Sequence, residues 1–188
     1  MIPTTARFLF DECMGKPSIE PLSKLIGMGR GEKPEVGHLL DIVPSGTPDE
    51  VWIPQIARDG WLLITTDGGR TPNKKRGEKL PRLCARYAIT HILLSSAVHS
   101  RTAFEKLLTV LSVWYALVDI ADKPTFKGNR YALEPLHSGE RGKGRLIPRD
   151  IPGDLLTLRE EYLRSLEATK GRSSTVLRNP EGTEGSGA

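Results

Sequence analysis

The sequence predicts an α/β fold, specifically a three-layer α/β/α sandwich with a mostly parallel sheet of about five strands. Three observations predict it. Short apolar runs alternate with segments of helical periodicity, and the connections between them are short. The chain also has the length, 188 residues, and the 38% hydrophobic content of one ordinary globular domain.

The first half of the chain contains three predicted strands and two predicted helices. In order, they are a strand at 7–10, a helix at about 18–28, a strand at 38–43, a helix at about 47–59 and a strand at 61–65. The second helix has the clearest start. Thr47 as N-cap, Pro48 at the first helical position and Glu50 three residues after Thr47 predict a capping box.

The second half continues the alternation. The predicted elements are a helix at about 78–87, a strand at 90–94, a long helix at about 101–118, an edge strand at 130–133 and a helix at 155–166. The long helix is apolar almost all round, so we expect it to be covered on more than one side.

These elements predict three parts of unequal character. Residues 1–136 form the sandwich, and residues 137–170 append a basic loop and a C-terminal helix to it. Residues 171–188 are poor in large apolar groups and rich in Gly, Ser and Glu, which predicts a disordered tail.

Several classes of protein are disfavoured. Cys13 and Cys84 are the only cysteines, and neither has a second Cys or a His at zinc-ligand spacing. No apolar run reaches the length of a membrane span, and the N-terminus lacks a secretory signal, so we expect a cytoplasmic protein. The P-loop, GxGxxG and GxSxG motifs are missing from the sequence.

The net charge of +4 is unevenly distributed. Residues 70–86 carry seven basic residues against one acid, and residues 127–149 carry six against two. Either run is explained by a solvated surface, and together with an acidic front half they also suit an anionic substrate.

Acidic residues follow the predicted strands or begin a predicted helix. Asp11 and Glu12 follow the first strand, Asp67 follows the third, and Asp49 and Glu50 lie in a first helical turn. Sites in parallel sheets form beyond the carboxyl ends of the strands. Carboxylates 4 Å apart repel by about 4 kcal/mol at an effective dielectric of 20, and bound Mg²⁺ or Mn²⁺ removes this repulsion. The set predicts metal-assisted hydrolysis of a phosphodiester.

Each acid also has a local explanation. The capping box accounts for Glu50, the helix dipole for Asp49, and a turn before Gly68 for Asp67. Asp11 is hardest to explain locally, because no helix is expected to start there.

The segment after Asp67 supplies candidates for binding RNA phosphates. We expect contacts from basic side chains near the acids, namely Arg70, Lys74, Lys75 and Lys79. His91 lies inside a predicted strand and is interpreted as a core histidine. His99 belongs either to the rim of the site or to the loop that approaches it.

Four segments carry a resemblance to a known family: "RFLFDE" (7–12), "TPDEVWIPQIARDGWLLITTDGG" (47–69), "EKLPRLC" (78–84) and "THILLSS" (90–96). Together they resemble the PIN-like domains, in particular the VapC-type toxin ribonucleases, over about residues 7 to 135. The resemblance implies an α/β/α sandwich whose acids bind Mg²⁺ or Mn²⁺ and cleave RNA. It also implies a small antitoxin protein as partner.

The resemblance assigns roles to the acids one by one. Asp11 matches the acid after the first strand, and Asp67 matches the acid after the later strand. The helix-start acid is Asp49 or Glu50, and we favour Asp49. Many PIN domains carry a further acid shortly after the position of Asp67, whereas this chain continues with glycines and Arg70.

Three functions follow from these observations. The first is a metal-dependent ribonuclease, the toxin of a type II toxin–antitoxin pair, and the second is a binding module of the same fold that has lost catalysis. The third, a phosphohydrolase of a small substrate, is weakened by Cys13, which stands where one such class needs a second aspartate. The apolar helix around Leu107–Leu117 predicts a homodimer or an antitoxin-bound surface.

Overall fold

A computed structural model describes residues 6–27, 34–67, 79–123, 127–137 and 139–175 of the chain. It contains one mixed sheet of six strands in the described ranges. The strands are Arg7–Phe10 (β1), Glu35–His38 (β2), Trp61–Thr65 (β3), His91–Leu94 (β4), Arg130–Pro135 (β5) and Gly144–Arg149 (β6). The first five are parallel and β6 is antiparallel to β5, which confirms the predicted α/β fold with a mostly parallel sheet.

Helices cover both faces of this sheet. They are Lys16–Gly27 (α1), Asp49–Arg58 (α2), Leu80–Arg86 (α3), Ser96–His99 (α4), Ala103–Ser112 (α5), Trp114–Asp122 (α6) and Gly153–Thr175 (α7). No helix in the described part of the chain has the length and apolar character needed to cross a membrane.

The strand order β2-β1-β3-β4-β5-β6 contains one reversal of direction. From β1 the chain moves to one side to form β2, and then returns past β1 to form β3. The ends of β1 and β3 therefore flank the topological switch point, where ligand sites form in open α/β sheets.

Alternating side chains of the sheet build two cores. Phe8 and Phe10 of β1 point to a cluster covered by α1, α5 and α6, whereas Leu9 points to a cluster covered by α2 and α3. All three side chains are fully buried. This alternation places α1, α5 and α6 on one face and α2 and α3 on the other, which is the predicted three-layer arrangement.

The long helix expected at 101–118 is two helices instead. The break lies at Val113, whose φ of −113° and ψ of 12° are not helical. Immediately before it, the hydroxyl of Ser112 donates to the carbonyl oxygen of Thr109 at 2.7 Å and accepts from the N–H of Gly144 at 2.9 Å. Bonding of a serine back to its own helix bends helices, and here the serine is also tied to β6.

The prediction of a strand at 38–43 is wrong, because the strand in this part of the chain ends at residue 38. Strand β2 stops at His38, and Leu39–Asp41 form a 3-10 helix. The Nδ1 atom of His38 accepts from the N–H of Leu40 at 3.2 Å and caps this short helix. This hydrogen bond stabilises the 3-10 helix, so residues 39–41 do not continue the strand.

The appended C-terminal part is larger than expected. Strand β6 adds a sixth strand beyond residue 136, and α7 continues through Thr175 instead of ending near residue 166. Residues 171–175 are therefore helical, and residues 176–188 lie outside the described ranges. Helix α7 is joined to α3 by an ion pair of 2.8 Å between Arg82 and Asp154, and by an edge-to-face contact of Tyr87 with Tyr162.

Candidate active site

Asp11 is fixed at the end of β1 by its backbone and its side chain. Its N–H donates to the carbonyl oxygen of Ile64 at 3.0 Å and extends the pairing of β1 with β3. Its Oδ1 accepts from the N–H of Glu12 at 2.6 Å, so Asp11 caps the 3-10 helix Glu12–Met14. The expectation that no helix starts here is wrong, because a single tight turn fits before Gly15, whose φ of 69° ends it.

Thr65 connects the acids that follow β1 and β3. Its hydroxyl donates to Oδ2 of Asp11 at 2.5 Å and accepts from the backbone N–H of Asp67 at 2.9 Å. The Thr65 side chain is fully buried at the end of β3. A fixed hydroxyl therefore orients the Asp11 carboxylate relative to the start of the segment that carries Asp67. The sequence indicates such a residue only by a threonine that closes an apolar strand.

Asp49 is the acid most affected by its neighbours. It is the first residue of α2 and is half-buried. Burial raises the pKa of Asp49 to about 6, helped by the negative charges of Asp67 and Glu50 and, to a smaller extent, by that of Asp11, while a hydrogen bond with Trp52 opposes the rise. Carboxylates from β1, β3 and α2 therefore lie within electrostatic reach of one another. We call Asp11, Asp49 and Asp67 the acid site.

The predicted capping box at α2 is wrong. The N-cap is Pro48, which has no side-chain cap, and the hydroxyl of Thr47 donates to the carbonyl oxygen of Pro44 at 2.6 Å. Glu50 is exposed in the first turn of α2 and has no capping role there. The local explanation for Glu50 is thereby removed, while the coupling of Asp49 to Asp11 and Asp67 favours Asp49 as the helix-start acid.

A buried cation lies beside the acid site and was not identified from the sequence. Lys106 of α5 is only 9% exposed, and its Nζ donates to the carbonyl oxygen of Cys13 at 3.3 Å. Burial, followed by the charge of Asp11, raises the pKa of the Cys13 thiol, and Lys106 counteracts part of this rise. A raised thiol pKa disfavours the thiolate, so Cys13 does not suit nucleophilic catalysis. The only sign of Lys106 in the sequence is a lysine within an apolar helix.

The histidines take different positions. His91 is completely buried in β4, as a core histidine would be, yet neither ring nitrogen has a hydrogen-bond partner among the described residues. Burial, with a contribution from the charge of Arg130, lowers the pKa of His91 to about 3, so the ring is neutral. His99 is exposed at the end of α4.

Of the four predicted phosphate contacts, the structure describes one. Lys79 is exposed and precedes the first residue of α3. Arg70, Lys74 and Lys75 lie outside the described residues.

The acid site offers mainly oxygen donors to a metal ion. Within the described ranges, no three His, Cys, Asp or Glu side chains form a group arranged to hold a metal. The donors that do interact are carboxylate oxygens, which suit a hard cation, and Mg²⁺ commonly keeps several waters while binding only one or two carboxylates. Asp11 and Asp67 are the two carboxylates that would hold such an ion, and Thr65 links the Asp11 carboxylate to the backbone N–H of Asp67.

Comparison with known proteins identifies one related family. Residues 6–76 match the family model described as a PIN like domain, which confirms the resemblance to PIN-like domains for this segment. The matched segment contains Asp11, Asp49, Glu50 and Asp67, whereas β4, β5, β6 and α7 lie beyond it. No curated protein and no solved structure matches the chain significantly.

Proposed function

We propose that this chain, whose residues 6–76 are a PIN-like domain, is a ribonuclease that depends on Mg²⁺ or Mn²⁺. PIN-like domains are commonly nucleases. The observation that carries the proposal is the link through Thr65 between the Asp11 carboxylate and the backbone of Asp67 at the ends of β1 and β3, with Asp49 near enough that their charges add to the burial that raises its pKa. Three acids that are distant in sequence therefore concentrate negative charge at the switch point of the sheet, and a divalent cation would neutralise it.

In this proposal Asp11 and Asp67 would hold the metal together with waters, and Asp49 and Glu50 would add their negative charge beside it. When bound, the ion would supply an activated water and would stabilise the charge that develops on the phosphodiester. Thr65 orients the Asp11 carboxylate through its hydroxyl. Burial and the neighbouring carboxylates raise the pKa of Asp49 to about 6, so near that pH metal binding at the acid site would be accompanied by proton release.

The RNA strand is bound by the basic segment that follows the acid site in sequence. Lys79 is exposed at the start of α3 and is available to a phosphate. Arg70, Lys74 and Lys75 complete the proposed contacts. Such contacts position the strand without selecting its sequence, and they predict binding that weakens steeply with salt.

Within this proposal the enzyme is the toxin of a type II toxin–antitoxin pair. The supporting feature is an apolar surface on α5 and α6, where the exposed fractions are 67% for Phe104, 36% for Leu108 and 88% for Tyr115. Exposed apolar patches mark surfaces for protein partners. The occupant is the cognate antitoxin or a second copy of the chain, and light scattering of the purified protein separates a homodimer from a monomer. A small open reading frame for a DNA-binding protein beside this one would support the toxin assignment.

The central test measures metal-dependent RNA cleavage by the purified chain. Asp11→Asn and Asp67→Asn should each lower the rate at least 100-fold, because each removes a charged metal ligand while preserving the size of the side chain. Glu20→Gln, an exposed acid on α1, is the matched control and should cleave like the wild type. Circular dichroism verifies that each variant is folded. Equal cleavage by the wild type and both aspartate variants would show that the acid site is not the catalytic centre.

A second function is supported by a separate observation. The described residues contain no group of three ligands arranged for a metal, and Gly68, Gly69 and Arg70 follow Asp67 where many PIN domains carry a further acid. A non-catalytic module that binds RNA through its basic segment accounts for both. It predicts salt-dependent RNA binding without metal-dependent turnover. Cleavage that survives extensive purification and is lost in Asp67→Asn excludes it.

A further inference from the structure

A second charged region lies in the C-terminal part of the chain, outside the segment that matches the PIN-like family. An open cleft of about 450 Å³ is bounded by the start of β5, the end of β6 and the first turns of α7. Three arginines, Arg130, Arg149 and Arg159, line it together with a single acid, Asp150. We call it the arginine cleft.

The pairing of β5 with β6 brings two of these arginines together. Arg130 and Arg149 are directly opposite each other in the antiparallel register, so their side chains project from the same face of the sheet. Like charges at directly opposite positions destabilise a strand pair. Arg159 of α7 adds a third guanidinium group to the same cleft.

The N–H donors of these three arginines are only partly paired with acceptors in the described part of the chain. Arg149 donates to Oε1 of Glu134 at 2.8 Å, and Arg159 donates through Nη1 to Oδ1 of Asn129 at 3.2 Å. Within the described ranges, the Arg130 side chain makes a long contact of 3.5 Å from Nη1 to the carbonyl oxygen of Asp150. The Nε atoms of Arg130 and Arg159 are buried and have no hydrogen-bond partner among the described residues. Buried N–H groups without an acceptor are costly, so a missing acceptor is indicated.

Arg159 is also closely packed in its position. A Cβ atom added at Gly128 would lie 2.6 Å from Cδ of Arg159 and 3.0 Å from Cα of Ala88. Gly128 has a φ of +77°, a conformation that side chains other than glycine rarely adopt. The aliphatic part of the Arg159 side chain therefore packs against Gly128, and any other residue at that position would displace it.

We propose that the arginine cleft is a binding site for a phosphate group. A phosphate offers several acceptor oxygens and a double negative charge, and guanidinium groups bind it with paired N–H donors. One tetrahedral anion in the cleft can accept from guanidinium N–H groups of Arg130 and Arg159 and neutralise the repulsion between Arg130 and Arg149. Asp150 is exposed at the edge of the cleft and Glu134 is engaged by Arg149, so these acids leave an excess of positive charge.

The cleft is distinct from the acid site. Arg130 begins β5, whereas Asp11 and Asp67 follow the ends of the parallel strands β1 and β3. The two sites thus belong to opposite ends of the parallel strands, and the cleft does not rest on the proposed ribonuclease activity. Phosphate binding can be measured in the presence of EDTA, which separates the two proposals.

The test measures binding of inorganic phosphate to the full chain by calorimetry and by the shift of its melting temperature. Chloride at equal ionic strength is the reference. We expect phosphate to raise the melting temperature of the wild type, and Arg130→Gln and Arg159→Gln to weaken phosphate binding at least tenfold. Arg164→Gln is the matched control, because Arg164 is an exposed residue of α7 whose Nε donates to the carbonyl oxygen of Glu160 in the same helix, and it does not line the cleft. This variant should bind like the wild type.

Conservative variants keep the test valid if a glutamine variant does not fold. Arg130→Lys and Arg159→Lys retain the charge and the aliphatic stem but lose the forked donors, so binding should weaken and not vanish. A phosphate response equal to that of chloride, or wild-type affinity in the variants of both arginines, overturns the proposal.

Competition identifies the source of the phosphate. Single-stranded RNA with hydroxyl ends that displaces inorganic phosphate indicates a backbone phosphate. Displacement by AMP or by RNA with a 5′ phosphate, but not by RNA with hydroxyl ends, indicates a phosphate monoester. Inorganic phosphate that none of these displaces indicates a site for the free anion.

Discussion

The acid site and the arginine cleft concentrate opposite charges in two different ways. At the acid site Thr65 links Asp11 to the backbone of Asp67 by hydrogen bonds, and burial together with the neighbouring carboxylates raises the pKa of Asp49. At the arginine cleft the bonds themselves are missing, because two buried Nε atoms have no partner among the described residues. The first region is therefore shaped for a neutralising cation and the second for an anion that accepts hydrogen bonds.

Of the substitutions that test this difference between the two regions, Thr65→Val should have the largest effect on stability. It removes the hydroxyl that links Asp11 to Asp67. The half-buried Oδ2 of Asp11 loses its donor and the N–H of Asp67 loses its acceptor. We expect the free energy of unfolding to fall by about 1–3 kcal/mol and metal-dependent cleavage to fall at least tenfold. Urea denaturation and the RNA cleavage rate measure the two effects.

The control for this substitution is Thr157→Val, at an exposed position of α7. It should unfold within about 0.5 kcal/mol of the wild type. If Thr65→Val unfolds at the wild-type urea concentration and retains full activity, the acid site is not organised through this hydroxyl.

A smaller and pH-dependent effect is expected for Asp49→Asn. The folded-state pKa of Asp49, about 6, lies above its ordinary value of 3.8. Protonated Asp49 thus contributes stability that is present at pH 4 and is lost as the pH rises through 6. Asparagine imitates the protonated form, so without metal the variant should be more stable than the wild type by about 1–2 kcal/mol at pH 7.5, a range reduced for partial exposure.

Thermal or urea unfolding of both proteins in EDTA between pH 4 and 8 measures this difference. The gain should shrink toward zero near pH 4, and the asparagine variant should bind Mg²⁺ or Mn²⁺ more weakly than the wild type. A pH-independent difference would show that the pKa of Asp49 is not raised in the folded protein.

The two regions also differ in how well the sequence predicts them. Asp11 and Asp67 directly follow apolar strands, so the rule for ligand sites in parallel sheets located them without a structure. The arginine cleft depends on the register that places Arg130 opposite Arg149, and on Arg159 reaching it from a helix. Nothing in the local sequence fixes a register between strands nine residues apart or the docking of α7.

Local signals also misled where tertiary contacts decide. Thr47 and Glu50 have the same T-x-x-E spacing as Thr102 and Glu105, yet only the second pair forms a capping box. The hydroxyl of Thr47 is engaged by the carbonyl oxygen of Pro44 instead. The T-x-x-E spacing is therefore not sufficient for a capping box, because a nearby carbonyl oxygen can engage the threonine hydroxyl instead.

The smallest expected effect concerns Glu134, the carboxylate that holds Arg149. Glu134→Gln keeps a hydrogen-bond acceptor for Arg149 but removes the charge that offsets the arginine cleft. Phosphate affinity should rise about two- to fivefold, while the free energy of unfolding changes by less than about 1 kcal/mol, because the pair is partly exposed. Calorimetry at constant ionic strength measures the affinity.

Glu35→Gln is the matched control for this substitution, since Glu35 also pairs with an arginine, Arg7, at 2.6 Å, but on β2 at the opposite edge of the sheet. It should leave phosphate affinity unchanged. An unchanged affinity in Glu134→Gln would separate Arg149 from the phosphate site and confine the site to Arg130 and Arg159. A gain in affinity instead shows that Glu134 neutralises part of the positive charge of the arginine cleft through its ion pair with Arg149.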